Sequence, residues 1–356
     1  MGWVELRSGG MRALRAVRSR MGGAVIVLTY HRVQDISLDP QRLAVPVARF
    51  DEHVAALSSR YELMTAGDLF RRMAEGVKLP RRGLVITLDD GYADSLGAAL
   101  PVLKAHDACA TVFVSSGFVA GNREFWWDEL ERLVLAAPEL PTSLALDVGG
   151  KPFRREIAQG TRELSAEVVA TFSGWDFTKA ANHPRQQLYV DLTAFVEPLS
   201  ATDREFALAA LREQTGVAAI VRPEKRPLSA AELPTLEAGG HVEIGAHTVS
   251  HVRLGQRSVA EQREEIVGSK AALEQMCGHD VVSFSYPYGT AGSFTAETER
   301  LVREAGFLGA VTTELGAGVP WGTASRGANR YAVPRMATAN VPAAELIATI
   351  DKRLAL

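Results

Sequence analysis

The sequence predicts an α/β protein built on a parallel sheet or barrel, and three observations carry the prediction. Short β-branched apolar runs alternate with longer stretches whose apolar residues recur at helical spacing. The alternation breaks near residue 120 and resumes after 228, so two blocks of one architecture flank a middle region of different pattern. At 356 residues the chain is long enough to bury a core, and its formal charge of −3 lacks the basic excess of a dedicated nucleic-acid binder.

Taken in order, the segment 1–22 is basic. Met11, Leu14, Val17 and Met21 recur at helical spacing among Arg12, Arg15, Arg18 and Arg20, which suits either a helix lying on a membrane surface or one packed over the end of the domain. The run "AVIVLTY" that follows is too short to span a membrane, has no small-residue cleavage site after it and reads as a strand. A cytoplasmic location is therefore expected. A helix through Phe50, Val54 and Leu57, the strand "GLVITL" from Gly83, a helix through Leu96, Leu100 and Leu103, and the strand "CATVFVSS" complete the first block.

In the middle, about 120–225, "DVGGKPF" reads as a hairpin with Gly149 and Gly150 in its turn. Helices are expected near 184–197 and 203–215, the second opened by Thr202 with Glu205. The region reads as an insertion, because strands needed to close the sheet lie on both sides of it. After 228, Ser229 with Glu232 and Ser258 with Glu261 resemble capping boxes, and "HVEIGAHT", "VVSFSYPYG" and "LGAVTTEL" supply strands. Residues 341–356 are expected to form a C-terminal helix packed on the barrel. Cys109 and Cys277 stand far apart in apolar or helical contexts, which predicts reduced core thiols and neither a disulfide framework nor a cysteine zinc site.

The stretch "GLVITLDDGYAD" ends a strand in two adjacent carboxylates, Asp89 and Asp90. Like charges are costly to bury unpaired, so a cation or a reaction is expected to need them. In "HTVSH", His247 and His251 stand four apart, a spacing that suits either two surface or capping histidines or two imidazoles on one face of a helical turn within reach of one divalent ion. With Asp90 they make a two-histidine, one-carboxylate set that leaves positions for water and substrate. Asp89 is then free to act as general base, the alternative being that Asp90 only caps the turn before Gly91. In "FSYPYG", Pro287 stiffens a loop whose Tyr288 N–H could serve an oxyanion. Trp126 and Trp127 suit either a sugar face or an anchor for the insertion, and Asp128 either a substrate hydrogen bond or a helix cap. His53, His106, His183 and His241 have no partners in the sequence and read as structural.

In that order, "TLDDGYAD", "HTVSH" and "YPYG" resemble three signature motifs of the polysaccharide deacetylases, the NodB-homology group of carbohydrate esterase family 4. The resemblance covers about 24–120 and 228–340. It implies a distorted (β/α) barrel of about seven parallel strands over 23–340 with a mainly helical insertion. It further implies Asp89 as catalytic base, Asp90, His247 and His251 as ligands of one divalent ion (zinc, with cobalt or nickel as substitutes), and the Tyr288 N–H at the oxyanion. The implied reaction removes an N-acetyl group from an amino sugar, carried by a polysaccharide, a lipid, a nucleotide or a small glycoside, and releases acetate.

The chain departs from the family pattern twice. The arginine that orients the base in the third motif is missing, with Ser285 near its place; Arg335 in "YAVPRM" is the substitute, a surface salt bridge being its other reading. The late leucine-histidine motif that supplies a general acid has no match after residue 290. His31 in "LTYHRV" takes that role by resemblance to members that look circularly permuted, with an N-terminal Tyr-His motif; its other reading is a satisfied core histidine. Two further functions stay open on the sequence: a deformylase or other metal-dependent amidohydrolase, and a carbohydrate-binding barrel without catalysis.

Overall fold

The computed structural model describes residues 24–121, 123–313, 323–325 and 328–354, so the basic N-terminal segment and its expected helix lie outside the described residues. The first block runs β1 (Ala24–Tyr30), the short β2 (Arg32–Val33), β3 (Ala44–Val45) and β4 (Glu62–Leu63), then β5 (Gly83–Leu88) and β6 (Ala110–Val114). β7 (Ser143–Val148) and β8 (Lys151–Glu156) form a hairpin in the middle region. The last block holds β9 (Val242–Ala246), β10 (Ser283–Ser285), β11 (Gly309–Thr312), β12 (Thr323–Ser325), β13 (Val333–Pro334) and β14 (Met336–Ala337).

Parallel pairing follows the order β1-β5-β6-β9-β10-β11-β13, and β14 returns to β1. The result is a nearly closed barrel of eight parallel strands wrapped by helices. β13 and β14 are the two halves of one stretch on either side of Arg335, so the circuit matches the seven or so positions expected. Every residue of β5 and β6 is buried, as for strands covered on both faces.

Outside the barrel, the helix Val47–Ser58 buries Phe50, Val54 and Leu57 as its periodicity predicts. The helix Ala343–Leu354 packs against it and against β1, burying Leu346, Ile347 and Ile350. His53 sits between them, with ring nitrogens 3.0 Å from the Tyr30 hydroxyl and 2.7 Å from the Val341 carbonyl, a structural role. The helix Leu100–Ala105 is entered through a wider π turn over Ser95–Ala99; Pro101 has no N–H to continue an α-helical ladder there.

In the middle region, Gly149 and Gly150 take φ of 59° and 72°, the left-handed pair that a two-residue hairpin turn demands. The helices Pro184–Val196 and Ala201–Thr215 lie close to their expected places. The cap of the second is Ser200, which accepts the Asp203 N–H, and not Thr202. Glu205 pairs instead with Arg123 and Arg212, which removes it from any capping box. Ser258 with Glu261 is a capping box, and Ser229 makes the equivalent contact with Glu232 before the helix Glu232–Glu237. Phe125, Trp126, Trp127, Leu130 and Tyr189 belong to a second hydrophobic core that the middle region builds beside the barrel's own.

Candidate active site

Parallel register brings the C-terminal strand ends to one mouth, where chemistry collects in barrels of this kind. Tyr30 stands opposite Leu88, and the Asp89 N–H donates to the Tyr30 carbonyl at 3.0 Å, which sets His31 beside Asp89. The His247 N–H donates to the Val114 carbonyl, also at 3.0 Å. β10 pairs with β9 through Phe284 and Ala246, which carries Ser285 to the same level. Arg335 arrives from the stretch that closes the barrel.

Asp89 and Asp90 diverge because Asp90 is left-handed, with φ of 75°. Thr248, His251 and Tyr288 are also left-handed, at 64°, 53° and 63°. Each such residue costs on the order of 1–3 kcal/mol, and their gathering at one mouth is characteristic of functional sites.

The ligand atoms of Asp90, His247 and His251 lie within 4.8 Å of one another, all three residues buried. Asp90 Oδ1 is 3.3 Å from His251 Nε2 and 3.6 Å from His247 Nε2. His247 Nδ1 lies 2.8 Å from the Ser285 carbonyl, so it donates there and leaves the Nε2 lone pair facing Asp90. Burial pushes the His247 imidazole down to about 4, keeping it neutral at physiological pH as a ligand must be. Burial would raise the Asp90 carboxyl, but His251, His31 and His247 bring it below the usual carboxylate range. Asp90 Oδ1 and His251 Nδ1 are nevertheless buried without a hydrogen bond. An orphaned carboxylate oxygen facing two imidazole nitrogens is what a divalent cation satisfies, and the nitrogen and oxygen donors fit zinc and its neighbours.

Asp89 has a different environment. Arg335 is fully buried, which rules out a surface salt bridge, and it grips Asp89 with both terminal nitrogens: Nη1 to Oδ1 at 2.7 Å and Nη2 to Oδ2 at 2.6 Å. Its remaining N–H groups donate to Thr312 O (2.9 Å), Thr87 Oγ1 (3.0 Å) and Ser285 Oγ (3.0 Å), so the guanidinium's full donor set is used. Ser285 also donates to Asp89 Oδ2 at 3.3 Å, standing between the two charges near the place where an arginine was expected. Burial would raise the Asp89 carboxyl, yet the charge of Arg335, with His247 and His31, holds it well below the carboxylate range. His31 is half-buried and lies close enough to both carboxylates to favour their ionised forms.

Tyr288 places its ring 5.0 Å from that of His251, with the Arg253 guanidinium over its face at 4.0 Å. Its carbonyl accepts from Thr313 Oγ1 at 2.7 Å, tying the loop to the end of β11. Trp127, almost fully buried, packs its ring 4.9 Å from His251 and donates Nε1–H to the Tyr92 hydroxyl at 2.7 Å. Tyr92 donates in turn to Asp128, which pairs with Lys225 at 2.9 Å. Both tryptophans are thus anchors of the insertion and not exposed sugar platforms, and Asp128 caps no helix. Sequence reasoning missed Thr87 and Tyr92. A hydroxyl inside the apolar run "GLVITL" was the available signal for Thr87; nothing local distinguished Tyr92.

A family model described as polysaccharide deacetylase matches residues 76–139 and 206–310, on either side of most of the insertion. The YxkH protein of Bacillus subtilis, named as a candidate polysaccharide deacetylase, is 30% identical over 89 residues; the match spans 25% of this chain and 30% of that one. The solved deacetylase PplD of Streptococcus pyogenes superposes with a TM-score of 0.56 at 16% identity, over 92% of this chain and 99% of its own. IcaB of Ammonifex degensii gives 0.53 at 17%, over 92% and 97%, and a de-N-acetylase of Aggregatibacter actinomycetemcomitans gives 0.54 at 13%, over 92% and 99%. At these identities the superpositions speak to architecture alone. The matched segments carry "TLDDGYAD", "HTVSH" and "YPYG", and the superpositions show that the chain shares the barrel architecture of these solved deacetylases.

Proposed function

We propose that this chain is a metal-dependent N-deacetylase that hydrolyses the acetamido group of an amino sugar to acetate and a free amine. The observation that carries the reading is the contrast between the adjacent carboxylates: Asp90 Oδ1 is orphaned between two imidazoles, while Asp89 is held ionised by Arg335. The resemblance adds the order of motifs, and the PplD structure is of a deacetylase with acetate.

Asp90, His247 and His251 would hold the cation, with zinc favoured by the donor set and cobalt or nickel able to replace it. Bound there, a divalent ion polarises the amide carbonyl and lowers the pKa of water toward about 7. Asp89 accepts a proton from the attacking water, with Arg335 fixing its orientation and keeping it ionised beforehand. The Tyr288 N–H donates to the developing oxyanion. His31 gives a proton to the departing nitrogen, the role that places the chain with circularly permuted members carrying an N-terminal Tyr-His motif. The substrate class is an N-acetylated sugar made or handled in the cytoplasm, and the arginines of 1–22 suit a lipid-linked carrier at a membrane surface. Among the described residues, no helix is long and apolar enough to cross a membrane.

The test is incubation with N-acetyl sugars, sugar nucleotides and lipid-linked sugars, with released acetate assayed. Activity on at least one, lost on chelation and restored by zinc, is expected; release of formate from formamides with no acetate from any acetamide would replace the acetyl reading. His31→Ala should lower turnover steeply with metal content unchanged, and full activity in that variant removes His31 from the reaction. Deleting residues 1–20 should weaken liposome binding if the lipid-linked reading holds.

A further inference from the structure

The helix ends that precede β9 and β10 meet at the N-terminal side of the barrel, away from the Asp90 centre. Glu237 ends the helix Glu232–Glu237, and Cys277 ends the helix Val259–Cys277. Gly278, left-handed at φ of 79°, turns the chain so that His279 comes back beside Cys277. One donor atom from each of Glu237, Cys277 and His279 lies within 4.8 Å of the other two.

The hydrogen bonds within this trio are proton-rich. His279 Nε2 is 2.8 Å from Glu237 Oε2, and its Nδ1 is 3.1 Å from the Asp280 carbonyl. The carboxylate at Nε2 and the carbonyl at Nδ1 favour the imidazolium and raise His279 above its ordinary value. The Cys277 sulfur lies within 4.8 Å of the same carboxylate, whose other oxygen accepts the Ile244 N–H at 3.0 Å. Glu237 is thereby fixed in place, with the thiol and the imidazole beside it. His279 is 48% exposed, which leaves a path for an ion from solvent.

We propose that Glu237, Cys277 and His279 form a second divalent-metal site, selective for zinc-class ions and structural in role. Binding releases the thiol proton and the Nε2 proton and forms one bond each to sulfur, nitrogen and carboxylate oxygen, with water completing a tetrahedron. A thiolate selects zinc, cobalt or cadmium over magnesium and calcium. The ion would tie the entry of β9 to the entry of β10, on the face of a barrel where stability is more often set than chemistry. Cys277 then acts as a ligand, against the sequence expectation of an inert core thiol.

Cobalt is the discriminating probe, because the Asp90 centre contains no sulfur. Titrating Co2+ into the chelator-stripped full chain should show two equivalents, one accompanied by a near-ultraviolet sulfur-to-cobalt charge-transfer band. Cys277→Ser should lose the band and one equivalent; Asp90→Ala should keep the band and lose the other; Cys109→Ser should change neither. His279→Gln should weaken the band, which covers the case in which the serine variant does not fold. Zinc should raise the melting temperature of Asp90→Ala and leave Asp90→Ala/Cys277→Ser unmoved. A wild-type protein without the band, or a band surviving Cys277→Ser, overturns the site; an equal zinc shift in both variants overturns its structural role.

Discussion

Asp89 accepts two hydrogen bonds from one guanidinium while Asp90 Oδ1 accepts none, and substitution should separate them accordingly. Asp90→Asn is expected to lose the one metal equivalent held at the Asp90 centre, whereas Asp89→Asn keeps that equivalent and loses turnover. Metal analysis of both purified variants decides this, and equal retention would remove Asp90 from the ligand set. Arg335→Ala leaves a buried carboxylate without its partner, a change that costs about 3–5 kcal/mol. Urea unfolding should register that loss, with Arg335→Lys intermediate because it keeps the charge and not the fork. A cost near that of a surface substitution, about 0.5 kcal/mol, would mean that the pair does not hold in solution. Asp89, Asp90 and the two histidines stood out as candidates for chemistry only when taken together, since the histidine spacing suits a surface pair equally and Asp90 could cap a turn. The pairing with Arg335 was an even choice on the sequence, since 246 residues separate the partners and only barrel closure joins them.

At the scale of elements, the strands were readable because covered parallel strands are apolar throughout, as "AVIVLTY" and "GLVITL" are. Helix starts were readable where a capping box stands alone, as at Ser258, and misread where two acceptors compete, as at Ser200 and Thr202. Gly245, two residues before His247, is a packing requirement: a Cβ there would lie 2.4 Å from the Phe113 ring and 2.7 Å from Ser283 Oγ. Gly245→Ala should cost about 1–3 kcal/mol through overpacking and weaken metal binding by moving the end of β9. Calorimetry and metal titration of that variant check both, and an unchanged melting temperature would show that β9 has slack. Glu232 carries a pH prediction. Hydrogen bonds from Arg226 against a modest burial penalty, with Ser229 assisting, lower its carboxyl to about 2. Its contribution is complete above the unfolded value of about 4.3 and fades as pH falls toward the folded one. The stability advantage of wild type over Glu232→Gln should therefore be flat above about pH 5 and shrink steadily below it. Parallel pH–stability curves for the two proteins would refute the pairing.

Over the whole molecule, the insertion is wired to the metal centre. Arg222 binds Glu124 and Glu131 at 2.8 Å each, and Lys225 binds Asp128 and Glu131 at 2.9 and 2.7 Å. These pairs clamp the helix Trp126–Val134, and Trp127 on that helix packs against His251. Arg222→Ala takes the nearer guanidinium from the almost fully buried Glu124, leaving it the backbone N–H of that residue and the more distant Arg132, and should lower stability by about 1–3 kcal/mol. It should also loosen metal binding, because the Trp127 ring loses its seat; a folded variant with wild-type metal affinity would uncouple insertion and centre. None of this wiring was visible in the chain, where Asp128 read as a substrate hydrogen bond or a helix cap and nothing local paired the charges of 124–132 with those of 222–226. What the sequence by itself determined was the α/β alternation, the interruption, and the donor types at two strand ends, because periodicity and residue chemistry are local. Only the tertiary structure decided that Arg335 holds Asp89, that Trp127 supports His251, and that Cys277 faces Glu237 and His279. Apart from the Cys277–His279 approach, which the turn at Gly278 makes locally, those contacts join residues far apart in sequence and exist only once parallel register and barrel closure bring the strand and helix ends together.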